Sequence, residues 1–201
     1  KKQSFYLNLL VLLVCCLSVS AENRWVINPN GGITWNIDSR IPHEDHIEMS
    51  GLKVSTVLRY GVDEKGAFHL NRSLIWPMLR TIPNNTHASL MRRFAWDITD
   101  MLSVNRQSLL NEKVKTITLN GIMTVESEFA LPGNGKLELI RVLFPSVHNP
   151  ALCEKYILRN TGETNISVEI PSSRSVIETE ASQGVDGSYK LVSVINGQTS
   201  K

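Results

Sequence analysis

Residues 41–86 read IPHEDHIEMSGLKVSTVLRYGVDEKGAFHLNRSLIWPMLRTIPNNT and carry the clearest strand pattern of the chain. Residues 49–62 predict one long strand, and between residues 54 and 62 every second side chain shares one face of the period-two pattern. Residues 63–66, Asp-Glu-Lys-Gly, predict a hairpin turn with glycine at its left-handed position. Phe68 and Leu70 can then meet the first strand across the hairpin. A hairpin of this length needs a second layer to cover its apolar face.

The rest of the chain supplies strand signals that can form that layer. Turns rich in glycine, asparagine and proline separate the signals, and no helical period lies between them. Residues 101–111 have a helix-like composition without caps, so a loop or a single turn is expected there. We therefore predict an all-β fold, an antiparallel β-sandwich spanning residues 22–201 as one domain. The last predicted strand has no closing element, which indicates either a frayed tail or a fold that is incomplete at its C-terminus. The further predicted strands are 24–27, 33–37, 88–98, 114–119, 122–129, 137–144, 155–159, 166–170, 175–179 and 189–195.

The first 21 residues are predicted to be a signal peptide. Lys1 and Lys2 precede an apolar run, and Val19-Ser20-Ala21 provides the small residues that a signal peptidase requires before Glu22. Cysteines at 15 and 16 leave a lipoprotein as the alternative. Cleavage would leave one cysteine, so no intramolecular disulfide is expected. These features predict export to the bacterial periplasm or cell surface, with no membrane association once the signal is removed.

The composition is that of a globular protein. The chain has 201 residues, of which 42% are hydrophobic and 20% charged, and its net charge is +2. Such a charge provides no electrostatic footprint for nucleic acid. The sequence contains neither G-x-S-x-G nor a glycine-rich phosphate loop, so we expect no catalytic residue and no cofactor in this chain.

Two polar groupings are the candidate ligand-binding sites. The run from His43 to Glu48 is expected to be a loop at the rim of the sandwich. There, His43, His46 and Glu48 also raise the alternative of a small metal-dependent hydrolase, although we expect no metal. The second grouping is Trp76 with Arg80 and the loop at 84–87, because amides, an imidazole and a guanidinium suit sugar hydroxyls. The predicted ligand-binding residues are His43, Glu44, His46, Glu48, Trp76, Arg80, Asn84, Asn85 and His87.

Two segments resemble a known group of enzymes. Residues 43–87, HEDHIEMSGLKVSTVLRYGVDEKGAFHLNRSLIWPMLRTIPNNTH, look like the N-terminal β-sandwich of secreted bacterial glycoside hydrolases with an (α/α)6 catalytic barrel. That group includes glycogen-debranching-like, α-glucosidase-like and α-L-rhamnosidase-like enzymes. Residues 140–170, IRVLFPSVHNPALCEKYILRNTGETNISVEI, are similar to a segment of the same sandwiches. It consists of an arginine strand, an FPS corner, a glutamate-led strand and an Asn-Thr-Gly turn.

The resemblance implies a supersandwich-like fold that supports a catalytic barrel located beyond Lys201. The catalytic acid and base would belong to that barrel, so this chain alone would lack them. Its expected partners are the barrel of the same polypeptide and an oligo- or polysaccharide. The alternative is a stand-alone carbohydrate-binding or adhesion module.

Overall fold

The computed structural model describes residues 24–37, 41–77, 89–94, 96–171, 173–179 and 189–195. The predicted signal peptide, residues 1–21, lies outside these ranges. Within them, strands dominate, and one 3-10 turn lies at Ile98–Asp100. No helix among the described residues is long and apolar enough to cross a membrane.

The described residues form fifteen strands, and most of the predicted strands are among them. They are, in chain order, β1 (Trp25–Ile27), β2 (Ile33–Asn36), β3 (His43–Ser50), β4 (Ser55–Val62), β5 (Phe68–Pro77), β6 (Ser89–Phe94), β7 (Ser103–Val104), β8 (Gln107–Ser108), β9 (Lys113–Leu119), β10 (Met123–Leu131), β11 (Gly135–Pro145), β12 (Leu152–Asn160), β13 (Val168–Glu169), β14 (Ser173–Thr179) and β15 (Tyr189–Ile195).

The strands form two main antiparallel sheets that pack face to face. The large sheet has the order β1-β2-β9-β10-β11-β12, and the four-stranded sheet has the order β3-β4-β5-β6. A small sheet, β13-β7-β8, and a separate hairpin, β14-β15, complete the described chain. The predicted all-β antiparallel sandwich is therefore confirmed.

The predicted hairpin lies at the centre of the four-stranded sheet. Val62 pairs with Phe68 and Tyr60 pairs with Leu70, as the alternation predicts. The continuous strand expected over 49–62 is interrupted, because the chain turns between β3 and β4. Gly51 donates its backbone N–H to the carbonyl of Val54 at 2.8 Å and closes this turn.

Two apolar clusters fill the interior. The first lies between the two main sheets and includes Leu58, Tyr60, Ile117, Val125 and Leu143. The second lies on the other half of the large sheet, where Ile98, Leu102, Val104 and Leu109 pack on Phe129, Leu137 and Leu139. Strands β10 and β11 run through both clusters, so the four-stranded sheet and the segment after β6 cover different halves of one sheet face.

Candidate functional site

The polar run from His43 to Glu48 forms an edge strand, β3, and the expected rim loop was wrong. Ile47 and Met49 occupy alternate inward positions and pack in the first apolar cluster. Burial of these two side chains stabilises the strand, and the alternate positions face solvent, where polar residues are tolerated. His43 shares the inward side, and the other three candidates of this run, Glu44, His46 and Glu48, lie exposed on the outer face.

An exposed cluster on this outer face brings together Glu44, Arg59 and His69; we call it the outer polar cluster. Arg59 Nε donates to Glu44 Oε1 at 2.7 Å, and His69 Nε2 lies 3.0 Å from Glu44 Oε2. Glu44 and His69 both pair with Gly61, which lies between them on the central strand β4. A Cβ at Gly61 would lie 3.0 Å from His69 Cε1, so the missing side chain leaves room for the contact.

The hydrogen bond from Arg59 is the main reason that the pKa of Glu44 is lowered, and His69 adds to the effect. Glu44 is therefore a carboxylate at neutral pH. The cluster presents a carboxylate, a guanidinium and an imidazole to solvent, and such planar polar groups are able to bind sugar hydroxyls.

His43 belongs to a different environment, on the inner side of β3. Arg24 Nη1 lies 2.6 Å from His43 Nε2, and the Asp45 carboxylate is 3.7 Å from the same nitrogen. Both His43 and the Arg24 guanidinium pack on the ring of Trp35. His43 and the outer polar cluster thus lie on opposite faces of the four-stranded sheet.

This division rules out the metal set of His43, His46 and Glu48. His43 points inward while His46 and Glu48 point outward, so the three cannot share one ion. Among the described residues, no group of three or more His, Cys, Asp or Glu side chains could hold a metal ion.

Trp76 lies next to the last residue of β5 and contacts the loop that connects two strands of the large sheet. Its Nε1 donates to the carbonyl of Pro150 at 2.8 Å, in the loop between β11 and β12. The residues predicted to join it in a ligand site, Arg80, Asn84, Asn85 and His87, lie outside the described residues. Of the other tryptophans, Trp35 is buried, and Trp96 packs against the Arg72 guanidinium.

Between the two apolar clusters lies a buried ionic network that sequence reasoning missed. Arg72 from β5 and Arg141 from β11 are each 1% exposed. Asp97 joins them, accepting from Arg72 Nη2 at 2.9 Å and from Arg141 Nη2 at 2.7 Å. We call this group the two-arginine network; its other members are Glu112, Ser127, Glu154 and Tyr156.

Both guanidiniums in this network are saturated. Arg72 binds both oxygens of Glu154, at 2.6 and 2.8 Å, and also donates to the carbonyls of Leu70 and Trp96. Arg141 binds both oxygens of Glu112, Asp97 and the hydroxyl of Ser127. Every N–H donor of both guanidiniums has an acceptor. Neither arginine therefore has a free donor for a ligand, and the network acts as a junction between the sheets.

Burial and pairing act in opposite directions on these groups. Burial alone would raise the pKa of Asp97, but Arg141 and Arg72 lower it to about 2. Burial would lower the pKa of Arg72, yet Glu154 and Asp97 raise it above its ordinary value. For Tyr156, burial and the Glu154 carboxylate both raise the pKa, so its hydroxyl keeps its proton and donates it to Glu154.

One sequence signal could have revealed the network. Arg72 alternates with Leu70 and Leu74, and Arg141 alternates with Leu139 and Leu143, all of which face inward. An arginine at the centre of an inward row must be buried, and a buried guanidinium requires carboxylates. The carboxylates that meet this requirement are far apart in sequence, so their identity could not be predicted.

Comparisons of the chain with models of known protein families, with curated proteins and with solved structures found no match.

Proposed function

We propose that the chain is the N-terminal, non-catalytic sandwich portion of an exported glycoside hydrolase, supporting an (α/α)6 catalytic barrel in glycan degradation. The proposal rests on the resemblance of residues 43–87 and 140–170 to such sandwiches. One ion pair in the structure connects these two segments. Arg72 comes from the first segment, Arg141 and Glu154 come from the second, and the Arg72–Glu154 pair joins them.

A support for a catalytic domain must hold its surface loops in a fixed arrangement, because sites are most precise on rigid elements. The two-arginine network supplies this rigidity. Charge-assisted hydrogen bonds are directional, and here they connect a strand of each main sheet. The glutamate-led strand thus contacts β5 of the other sheet through Glu154 and Arg72, and the arginine strand is linked to Arg72 through Asp97.

A second candidate, a stand-alone carbohydrate-binding module, is favoured by the outer polar cluster. Glu44, Arg59 and His69 are fixed by contacts to one another and are still partly exposed, with side-chain accessibilities of 44%, 64% and 33%. A preorganised set of donors and acceptors costs little entropy when a ligand binds. In the enzyme, the same cluster would contact glycan next to the barrel.

The coding sequence that follows the codon for Lys201 tests the first candidate. We expect several hundred further codons with repeated amphipathic helices and spaced carboxylates. A stop codon at that point would overturn the support role and leave the binding module as the better candidate.

The second candidate is tested by calorimetric titration of the purified protein with a panel of neutral oligosaccharides. Loss of a charged hydrogen-bonding partner costs about 1.5–3 kcal/mol, so Arg59→Ala should weaken binding roughly tenfold or more. Arg159→Ala is the matched control, because Arg159 is similarly exposed and pairs with Glu138 at 3.2 Å on the other sheet. Equal affinities for Arg59→Ala and the wild type, or no binding by the wild type, would contradict binding at the outer polar cluster.

A further inference from the structure

Residues 97–112 form a closed loop, here called the strap, whose two ends are held by one arginine. Asp97 begins the strap and Glu112 ends it. Arg141 Nη2 donates to Asp97 Oδ1 at 2.7 Å and to Glu112 Oε2 at 3.0 Å. A compact surface loop with ends close together is an Ω-loop, a class in which functional loops are frequent.

The strap covers an apolar floor on the large sheet. The floor consists of Phe129, Leu137 and Leu139, which are at most 1% exposed. From the strap, four apolar side chains pack on the floor: Ile98, Leu102, Val104 and Leu109. Lifting the strap would therefore uncover a continuous apolar surface.

The tip of the strap is fastened differently from its ends. Asn105 donates its backbone N–H to the carbonyl of Ser167 at 2.8 Å, and its Oδ1 accepts from the N–H of Ser167 at 2.9 Å. The strands at the tip, β7 and β8, have only two residues each. Asn105 and Arg106 lie in the left-handed region, with φ of 52° and 65°.

Charged, bidentate contacts hold the ends. The tip is held by the Asn105–Ser167 hydrogen bonds, by a short ladder and by a single longer bond from Ser103 Oγ to Glu169 Oε2 at 3.3 Å. Neutral hydrogen bonds are about half as strong as charge-assisted ones. Arg106 adds strain, since a bulky side chain disfavours the left-handed region. The tip is thus the weaker attachment.

We propose that the strap is a lid that opens as a unit, by releasing its tip from Ser167 while Arg141 holds both ends. The ends act as the hinge, Asn105 is the latch, and opening uncovers the apolar floor. This inference concerns the sandwich itself and does not depend on the proposed glycosidase role.

Hydrogen–deuterium exchange of the full chain, read by mass spectrometry, tests the lid. In the wild type, the amides of residues 98–109 should exchange faster than those of β10 and β11. Asn105→Gly keeps the turn, because glycine accepts a positive φ, but removes the Oδ1 acceptor. The loss of one hydrogen bond should accelerate exchange in the strap about fivefold and leave β10 and β11 unchanged.

Arg106→Gly is the matched variant in the same turn. It retains the Asn105–Ser167 contacts and relieves the strain, so exchange in the strap should stay the same or slow down. Two results would overturn the lid: strap amides as strongly protected as those of β11 in the wild type, or an acceleration in Asn105→Gly that is uniform over the sandwich. Either would mean that the strap opens only when the whole protein unfolds.

Discussion

At the scale of single residues, the described residues contain one buried side-chain polar atom without a hydrogen-bond partner. Thr56 is fully buried on the inward face of β4, and its Oγ1 makes no hydrogen bond. Burying an unsatisfied hydroxyl costs about 1–3 kcal/mol. Thr56→Val keeps the shape of the side chain and removes the hydroxyl, so we expect the free energy of unfolding to rise by about 1 kcal/mol.

Urea unfolding measures this change, with Thr116→Val as the control. The hydroxyl of Thr116 donates to Glu126 Oε2 at 3.1 Å, so its removal should leave stability unchanged or lower. A fall in stability for Thr56→Val would mean that Thr56 Oγ1 has a partner after all.

The buried arginines show how far sequence reasoning reaches at this scale. The inward positions of β4, β5 and β11 follow from alternation, and Arg72 and Arg141 occupy such positions. Alternation does not predict which residue pairs with a buried charge. Asp97, for example, caps the 3-10 turn through Thr99 and bonds both arginines, and only the folded chain brings these groups together.

At the scale of elements, β3 shows why one prediction failed. The run His43-Glu44-Asp45-His46 is polar, and polar runs are typical of loops. An edge strand needs only one apolar face, however, and here Ile47 and Met49 provide it. The strands that were predicted well, such as β10, are bounded on both sides by turns that contain glycine and asparagine.

The pairing of β3 with β4 depends on a glycine. A Cβ at Gly61 would lie 2.2 Å from the carbonyl oxygen of His43 and 2.8 Å from Glu44 Cα, both backbone atoms. Because backbone cannot move aside as a side chain can, Gly61→Ala should displace β3 and destabilise the fold by about 1–3 kcal/mol.

Urea unfolding gives the size of this effect, and amide NMR shifts of residues 43–50 show where it occurs. Val57→Ala, in the same strand but half-buried on the outer face, is the comparison for a local packing change that spares the backbone contact. If the amide shifts of β3 stay unchanged in Gly61→Ala, the close approach of the β3 backbone is not the reason that position 61 requires glycine.

At the scale of the whole molecule, the two-arginine network makes stability depend on acid. The pKa of Asp97 falls from 3.8 to about 2 on folding. A carboxyl with a lowered pKa in the folded state contributes stability that is fully present above its unfolded pKa and is lost as the pH falls through its folded pKa. We expect about 2 kcal/mol to be lost between roughly pH 5 and pH 2 from this group.

Urea unfolding at a series of pH values, compared between the wild type and Asp97→Asn, isolates this contribution. Asp97→Asn should be less stable at pH 7 by about 3–5 kcal/mol, because two buried arginines lose a shared charge, and its stability should fall less steeply below pH 5. Glu138→Gln, in an exposed ion pair with Arg159, should follow the wild-type slope. If the unfolding free energy of the wild type and that of Asp97→Asn fall equally steeply with pH, Asp97 is not the source of the acid dependence.

The network also has a mechanical consequence. Apolar side chains between two sheets tolerate small displacements, because dispersion forces have little directional preference. The hydrogen bonds from Arg72 and Arg141 have fixed directions, and they connect β5 of one sheet to β12 of the other through Glu154. A force that slides one sheet along the other must therefore break several charge-assisted bonds at once, so the sandwich should resist shear more strongly than a purely apolar interface of the same area.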